Sequence, residues 1–295
     1  MIWNKPSGAR VTATFVLSMF VGMCKAQDPA QTPLTVHSLE GNVSWVEGGG
    51  GNSGVIVGDR GVIVVDAKIT AAAGKELLDD IAKITPKPVD TVILTHSDGD
   101  HVNGLAAFPD AVTVIAQENN KKEQERAIAT GARNPPPANH LPTRVITKND
   151  DHLTIDGISF ELLHWGPAHT SGDLVVYLPK QKIVFTGDII TNRPDPLIHL
   201  EKNGSSEGWI QTAKGIAALD AATFIPGHGP AETKADVASY VAHAEAKRAQ
   251  IKELVNQGKS LEEIKAAVGD APRPQGGGPS FASFTDVVYR ELTKK

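Results

Sequence analysis

Four short segments of this 295-residue chain carry side chains of the types that bind metal ions. The densest is Thr-His-Ser-Asp-Gly-Asp-His at positions 95–101, and the others lie around positions 169, 188 and 228. The candidate ligands are His96, Asp98, Asp100, His101, His169, Asp188 and His228. Imidazole and carboxylate suit zinc, iron or manganese. Four histidines and three aspartates exceed the needs of one ion, so the residue types predict a two-metal site.

Each segment follows or adjoins an apolar run that predicts a β-strand. The run at 89–95 leads directly into His96 and Asp98, and a run at 183–186 precedes Asp188. A strand end is rigid, and side chains just beyond it face a cleft. Gly99 and Gly104 permit the tight turn that the first segment requires. The sequence therefore places the ligands on rigid supports.

The remaining hydrophobic pattern predicts an α/β layered fold. Further strands are expected at 55–57 and 62–65, which form a hairpin, and at 112–116, 158–164, 174–178 and 222–225. Helices are expected at 71–84, 117–130, 209–219, 233–257, 260–268 and 281–292. Residues 27–36 are expected to form a linker. Residues 117–150, with three consecutive prolines, are expected to form an insertion on the surface.

The four segments, in this order, resemble the metallo-β-lactamase superfamily. Its first motif is His-x-His-x-Asp-His, followed by a His, an Asp or Cys, and a final His. The resemblance covers residues 37–245. It implies a four-layer αββα sandwich with the site along one edge between its two halves. Residues 246–295 would add a C-terminal helical tail.

The resemblance also distributes the ligands. The implied set is His96 and His169 for the first metal, Asp100, His101 and His228 for the second, and Asp188 as a bridge. Asp100 stands where the family has a proton-shuttling carboxylate, and we expect it to be catalytic. Asp66 resembles a residue that braces the ligand loop, although it could equally be a strand-end cap. His199 lies in a segment that often meets substrate and is a candidate substrate contact.

Asp98 departs from the family motif, which has a histidine there. With Asp98 as a ligand, the negative charges of three carboxylates and a bridging hydroxide would balance the positive charges of two divalent ions. The smaller residual charge would lower the Lewis acidity of the metals and raise the pKa of bound water. The expected cofactor is two divalent ions, zinc first, with iron or manganese as alternatives at the first site. Alternatively Asp98 points away, and a single ion is held by Asp100, His101 and His228.

Composition limits the partners and the compartment. The formal charge is −5, and −8 without residues 1–26, which carry Lys5, Arg10 and Lys25 and no acidic residue. An acidic chain is a poor match for nucleic acid. The basic start and the apolar run at 11–23 predict a signal peptide at 1–26, hence a periplasmic or secreted protein without stable membrane insertion after processing. The only cysteine is Cys24, so the mature chain would have no thiolate ligand.

These features predict an exported hydrolase in which a metal-bound hydroxide attacks a small carbonyl substrate such as a lactam, lactone, ester or thioester. One alternative is a mononuclear iron enzyme that activates oxygen on a sulfur substrate, as sulfur dioxygenases of this superfamily do. Another is a metal-binding module without turnover. The pattern does not determine the oligomeric state.

Overall fold

The structure is a computed structural model, and it describes residue 1, residues 32–270 and residues 282–294. The predicted signal peptide, apart from Met1, lies outside these residues. Within the described part of the chain, no helix is both long and apolar enough to cross a membrane.

The first of two sheets has its seven strands in chain order. They are β1 (Thr35–Ser38), β2 (Val43–Glu47), β3 (Ser53–Val57), β4 (Val62–Val65), β5 (Val89–Ile93), β6 (Thr113–Gln117) and β7 (Arg144–Ile146). Strands β1 to β4 pair antiparallel, which confirms the predicted β3–β4 hairpin. Strands β4 to β7 pair parallel, so their carboxyl ends share one edge of the sheet.

The second sheet has five strands in the order β12, β11, β10, β9, β8. Their bounds are β8 (Asp150–Ile155), β9 (Ile158–Leu163), β10 (Val175–Leu178), β11 (Ile183–Gly187) and β12 (Thr223–Pro226). Strands β8 to β11 pair antiparallel, whereas β11 and β12 are parallel. The carboxyl ends of β11 and β12 therefore also lie together.

The described part of the chain has seven α-helices, and most of them cover the outer faces of the two sheets. They are α1 (Ala71–Ile84), α2 (Gly99–Val102), α3 (Glu118–Ala129), α4 (Ser206–Ala218), α5 (Lys234–Asn256), α6 (Leu261–Val268) and α7 (Phe284–Thr293). Helix α1 begins where the Thr70 side chain accepts a hydrogen bond from the N–H of Ala73. The capping box expected at Ser260 and Glu263 is formed at the start of α6.

Three hydrophobic clusters define the layers. One lies between the sheets and includes Ile63 of the first sheet and Phe185 of the second. Another packs Leu77 of α1 on the outer face of the first sheet. The third packs α4, α5, α6 and α7 on the second sheet, with Trp209 and Phe284 buried in it. The predicted αββα sandwich is confirmed, and the tail helices belong to its outer layer. Helix α5 continues across residue 245, so a domain boundary there stays a prediction.

Two expectations about connecting segments were wrong. Residues 35 and 36 belong to β1 rather than to a linker. Helix α3 is not simply a surface insertion, because Asn120, Glu123 and Gln124 are buried. The buried face of α3 is polar, so hydrophobic periodicity could not reveal it.

Candidate metal centre

The candidate ligands meet at one edge of the sandwich. His96 follows β5, Asp188 follows β11, and His228 follows β12. His169 lies in the loop between β9 and β10. Two backbone hydrogen bonds tie the sheets together here, from Leu174 N–H to the Thr95 carbonyl (2.7 Å) and from Asn52 N–H to the Gly227 carbonyl (2.7 Å). The strand ends thus bring residues of distant sequence into one site.

The first cluster comprises His96, Asp98, His169 and Asp188, whose nearest ligand atoms all lie within 4.8 Å of one another. Oδ2 of Asp98 is 3.3 Å from Nε2 of His169 and 3.8 Å from Nε2 of His96. The Asp98 carboxylate therefore points into the cluster. This orientation differs from the alternative in which Asp98 points away.

The second cluster comprises Asp100, His101 and His228, again within 4.8 Å of one another. Oδ2 of Asp100 is 3.1 Å from Nε2 of His228. Asp188 lies between the clusters: its Oδ1 is 3.2 Å from Nε2 of His101 and 3.4 Å from Nε2 of His228, and its Oδ2 is 3.9 Å from Nε2 of His169. One carboxylate oxygen of Asp188 faces each cluster, so this side chain contacts both sets of candidate ligands.

Hydrogen bonds orient the imidazole rings. Nδ1 of His169 lies 2.8 Å from the carbonyl oxygen of Leu197, and Nδ1 of His101 lies 2.8 Å from Oδ2 of Asp66. Carbonyl and carboxylate oxygens only accept, so each Nδ1 carries the proton. In the neutral form of each ring, Nε2 then carries the lone pair and faces the site, and this is the form that binds a metal.

Asp66 braces the ligand loop. It sits after β4 with a φ of 57°, and its Oδ1 accepts a hydrogen bond from Thr95 N–H (2.8 Å). Its Oδ2 accepts from the Thr95 hydroxyl (2.7 Å) as well as from His101. The Thr95 hydroxyl oxygen in turn lies 2.9 Å from Nδ1 of His96. One buried carboxylate thus orients a histidine of each cluster, which favours the bracing role over a strand-end cap.

The donor set fits metal ions. Nε2 of His96, Nε2 of His101 and Oδ1 of Asp188 are buried without a hydrogen-bond partner. Buried polar atoms are normally satisfied, and three unsatisfied ones on neighbouring ligand-type side chains need an explanation. A cation in each cluster would supply the missing partner.

The carboxylates of the site also favour positive charge beside them. Burial lowers the pKa of a histidine, yet Asp188 and Asp100 raise that of His228 to about 10. At His169, burial also acts to lower the pKa, but Asp98 raises it to about 9. The carboxylates outweigh the desolvation of the rings, so they favour cations in the site, whether protons or metal ions.

His199 and Lys202 stand against Asp98. His199 is 3% exposed, with Nε2 2.8 Å from Oδ2 of Asp98 and Nδ1 2.6 Å from Oε1 of Glu201. This position is deeper than a substrate contact implies, and the substrate role of His199 stays a prediction. Nζ of Lys202 lies 2.5 Å from Oδ1 of Asp98. Sequence reasoning missed Lys202, because a lysine more than a hundred residues from its partner gives no local signal.

Helix α3 holds two ligand loops. Oε2 of Glu123 accepts a hydrogen bond from the Ser97 hydroxyl (2.5 Å), and Oε1 accepts from the Ser171 hydroxyl (2.8 Å). Within the second loop, Thr170 donates from its N–H (2.9 Å) and its hydroxyl (2.7 Å) to Asp173. Sequence reasoning also missed Glu123, which lies outside the four ligand segments.

Two glycines leave room for the ligands. A Cβ atom on Gly51 would come within 2.2 Å of the His101 ring, and one on Gly227 would come within 1.8 Å of Oδ1 of Asp188. Both distances are far inside van der Waals contact. Any side chain at Gly227 would displace the Asp188 carboxylate.

Comparison with known proteins agrees with this geometry. The family profile described as the metallo-beta-lactamase superfamily matches residues 46–228. The alpha subunit of a 2,4-dinitroanisole O-demethylase from Nocardioides sp. is 28% identical over 198 residues, which is 66% of this chain and 57% of that protein. A linear primary-alkylsulfatase from Pseudomonas sp. is 21% identical over 216 residues, covering 59% of this chain and 40% of the relative. The chain therefore spans about half the length of these two relatives.

A solved structure shows the same fold. The metallo-beta-lactamase from Pontibacter korlensis superposes with a TM-score of 0.60 at 21% identity, over 72% of this chain and 99% of that one. The resemblance inferred from the motifs is thereby confirmed, and relatives that include hydrolases support the prediction of a metallo-hydrolase. Since the family profile covers more than half of its 295 residues, the chain belongs to the metallo-beta-lactamase superfamily.

Proposed function

We propose that the protein is an exported, two-metal hydrolase that acts on a small substrate with a polarised carbonyl group, such as a lactam, lactone, ester or thioester. The observation that carries the proposal is the position of Asp188, with one oxygen toward His101 and His228 and the other toward His169. A carboxylate shared between two ligand clusters favours two ions over the single ion of the oxidative alternative.

Seven side chains would hold the metals: His96, Asp98 and His169 at the first site, Asp100, His101 and His228 at the second, and Asp188 between them. Bound divalent ions would supply Lewis acidity and lower the pKa of water in the site. Zinc suits the histidine-rich donor set, with iron or manganese as alternatives at the first site.

Asp100 is the residue best placed to handle a proton. Its side chain is 28% exposed, whereas those of Asp188 and Asp98 are 4% and 11% exposed. Burial acts to raise the pKa of Asp100, but His101 and His228 lower it, so the carboxylate is ionised near neutral pH. An ionised carboxylate at the open side of the site can orient water or accept its proton.

The alkylsulfatase relative makes a sulfate ester a second candidate substrate class. Sulfur in a sulfate ester is also an electrophile that a two-metal site can polarise. Which class is turned over separates the two candidates, so both belong in one assay.

The test is hydrolysis by the purified mature protein of chromogenic substrates: a β-lactam, a lactone, a carboxylic ester, a thioester and a sulfate ester. We expect one class to be turned over, activity to disappear with a chelator, and zinc to restore it. Asp100→Asn should lower kcat/KM by about 100-fold or more, whereas the exposed Asp110→Asn should not. Chelator-resistant activity would contradict the proposal, and a fully metal-loaded protein inactive on every class would favour the metal-binding module.

Edman sequencing that finds residue 27 at the mature N-terminus would support export.

A further inference from the structure

The segment that carries His199 is fastened to a candidate ligand. The N–H of His199 donates to the carbonyl of His169 (2.8 Å), and the carbonyl of Leu197 accepts from Nδ1 of His169. The His169 and His199 rings lie edge to face with centroids 5.0 Å apart. The position of His199 is therefore fixed relative to the first cluster.

The hydrogen bonds of His199 match those of the ligand histidines. Its Nδ1 lies 2.6 Å from a carboxylate oxygen of Glu201, which can only accept, so Nδ1 carries a proton. Its Nε2 lies 2.8 Å from Oδ2 of Asp98, the oxygen that also faces Nε2 of His169 at 3.3 Å. A carboxylate that holds the outer nitrogen of an imidazole while the inner nitrogen faces a site is a recurrent arrangement at metal centres.

One carboxylate oxygen thus faces the inner nitrogens of two buried imidazoles, on His169 and His199. If both rings are neutral, their lone pairs oppose the negative oxygen of Asp98. A metal ion between these three atoms would replace the repulsion with favourable contacts to Asp98, His169 and His199. The other resolution is a protonated His199 that donates to both Glu201 and Asp98.

We propose that His199 is a third imidazole ligand of the first metal, in addition to His96 and His169. It would supply the imidazole that the chain lacks at position 98, from a segment a hundred residues further along. The inference rests on the proposed metal centre. A third nitrogen donor would also offset the oxygen-rich character that Asp98 gives this site, which favours zinc.

Proton NMR of the cobalt(II)-substituted protein gives a direct test. Each coordinated ring with a protonated Nδ1 yields a strongly shifted, solvent-exchangeable N–H signal. We expect one such signal more than His96, His101, His169 and His228 provide, and its loss in His199→Ala. A spectrum that His199→Ala leaves unchanged, or a shifted set without the additional signal, would overturn the proposal in favour of a protonated His199.

Zinc affinity measured by chelator competition gives an independent readout. His199→Ala and the milder His199→Gln should weaken one of the two zinc sites by about 100-fold or more, and Glu201→Gln by about 10-fold. The exposed His243→Ala should change neither site. If His199→Ala does not fold, the wild-type cobalt spectrum still decides. A wild-type protein that binds no metal would refute the proposed function, whereas two zinc sites unaffected by His199→Gln would refute only the role of His199.

Discussion

The ammonium nitrogen of Lys202 lies 2.5 Å from Oδ1 of Asp98, so the carboxylate that departs from the family motif enters the site paired with a cation. The sequence indicated that Asp98 would cancel the residual positive charge of a two-metal centre. Lys202 restores one positive charge. The ion pair of Asp98 and Lys202 therefore has no net charge, like the neutral histidine that the family motif has at position 98. Burial acts to raise the pKa of Asp98, but Lys202, His169 and His199 lower it well below its usual range.

Replacing Lys202 should therefore alter the pH dependence of the reaction. Without the ammonium group, Lys202→Met should move the acidic limb of the kcat/KM profile upward by about one pH unit, because a nearby positive charge favours ionisation. Lys214→Met, which removes a lysine paired with Glu245 on the surface, is the control. An acidic limb at the same pH in both variants would show that Lys202 does not tune the site.

Asp66→Asn should weaken the second metal site. Asparagine tolerates the positive φ at this position, so the backbone need not change. The bond from Nδ1 of His101 would lose its charged acceptor, and we expect zinc affinity to fall by about 10- to 100-fold in chelator competition. Asp220→Asn, at a surface pair with Lys182, should have no effect. Equal affinities for the Asp66 variant and the wild type would leave Asp66 as a strand-end cap.

Glu123→Gln tests the contribution of α3. The substitution removes the charge that accepts hydrogen bonds from Ser97 and Ser171, and we expect a loss of about 1–3 kcal/mol of unfolding free energy. Thermal unfolding of the metal-free protein would report this as a lower Tm. Glu125 is exposed on the same helix, so Glu125→Gln is the matched control. If both variants melt with the wild type, the two serine contacts do not stabilise the fold.

These tests separate what the sequence predicts from what it leaves open. The strands and the ligand segments were predictable, because apolar runs and metal-binding residue types are local signals. Asp188 and His228 could be placed near each other because parallel strands of one sheet end along a shared edge. Their proximity to His96, which follows a strand of the other sheet, was implied only by the family resemblance.

The contacts around Asp98 were not predictable in the same way. Lys202 and Glu123 each make two hydrogen bonds to residues distant in the sequence, and neither lies in a motif or a periodic pattern. Helix α3 presents a polar face to the ligand loops, so its sequence was indistinguishable from that of an exposed helix. His199 was identified as a candidate, but its distance from Asp98 depends on how the loop after Asp188 folds back.

A buried lysine predicts a pH effect on stability. Lys68 is fully buried, and its Nζ donates to the carbonyls of Val46 (2.6 Å) and Gly51 (2.9 Å). Burial lowers its pKa from 10.5 to about 7, although Asp66, Glu47 and Glu76 act in the opposite direction. Between these two values the unfolded chain holds a proton that the folded chain has lost, so the stability contributed by Lys68 rises with pH.

Urea unfolding of the metal-free protein at pH 7 and pH 9.5 measures this effect against Lys68→Met, which does not titrate at this position. The unfolding free energy of the wild type should gain on the order of 2 kcal/mol relative to the variant over this interval, at about 1.4 kcal/mol per pKa unit. If the difference in unfolding free energy between the wild type and Lys68→Met is the same at both pH values, the pKa of Lys68 is not lowered by burial.

The most direct test of the two-metal centre is the metal content of the purified protein, with zinc, iron and manganese quantified together. The positions of Asp98, between His96 and His169, and of Asp188, between the two clusters, predict close to two ions per chain. One ion or fewer per chain, after incubation with excess metal and removal of the unbound fraction, would contradict the account and favour a mononuclear or non-catalytic protein.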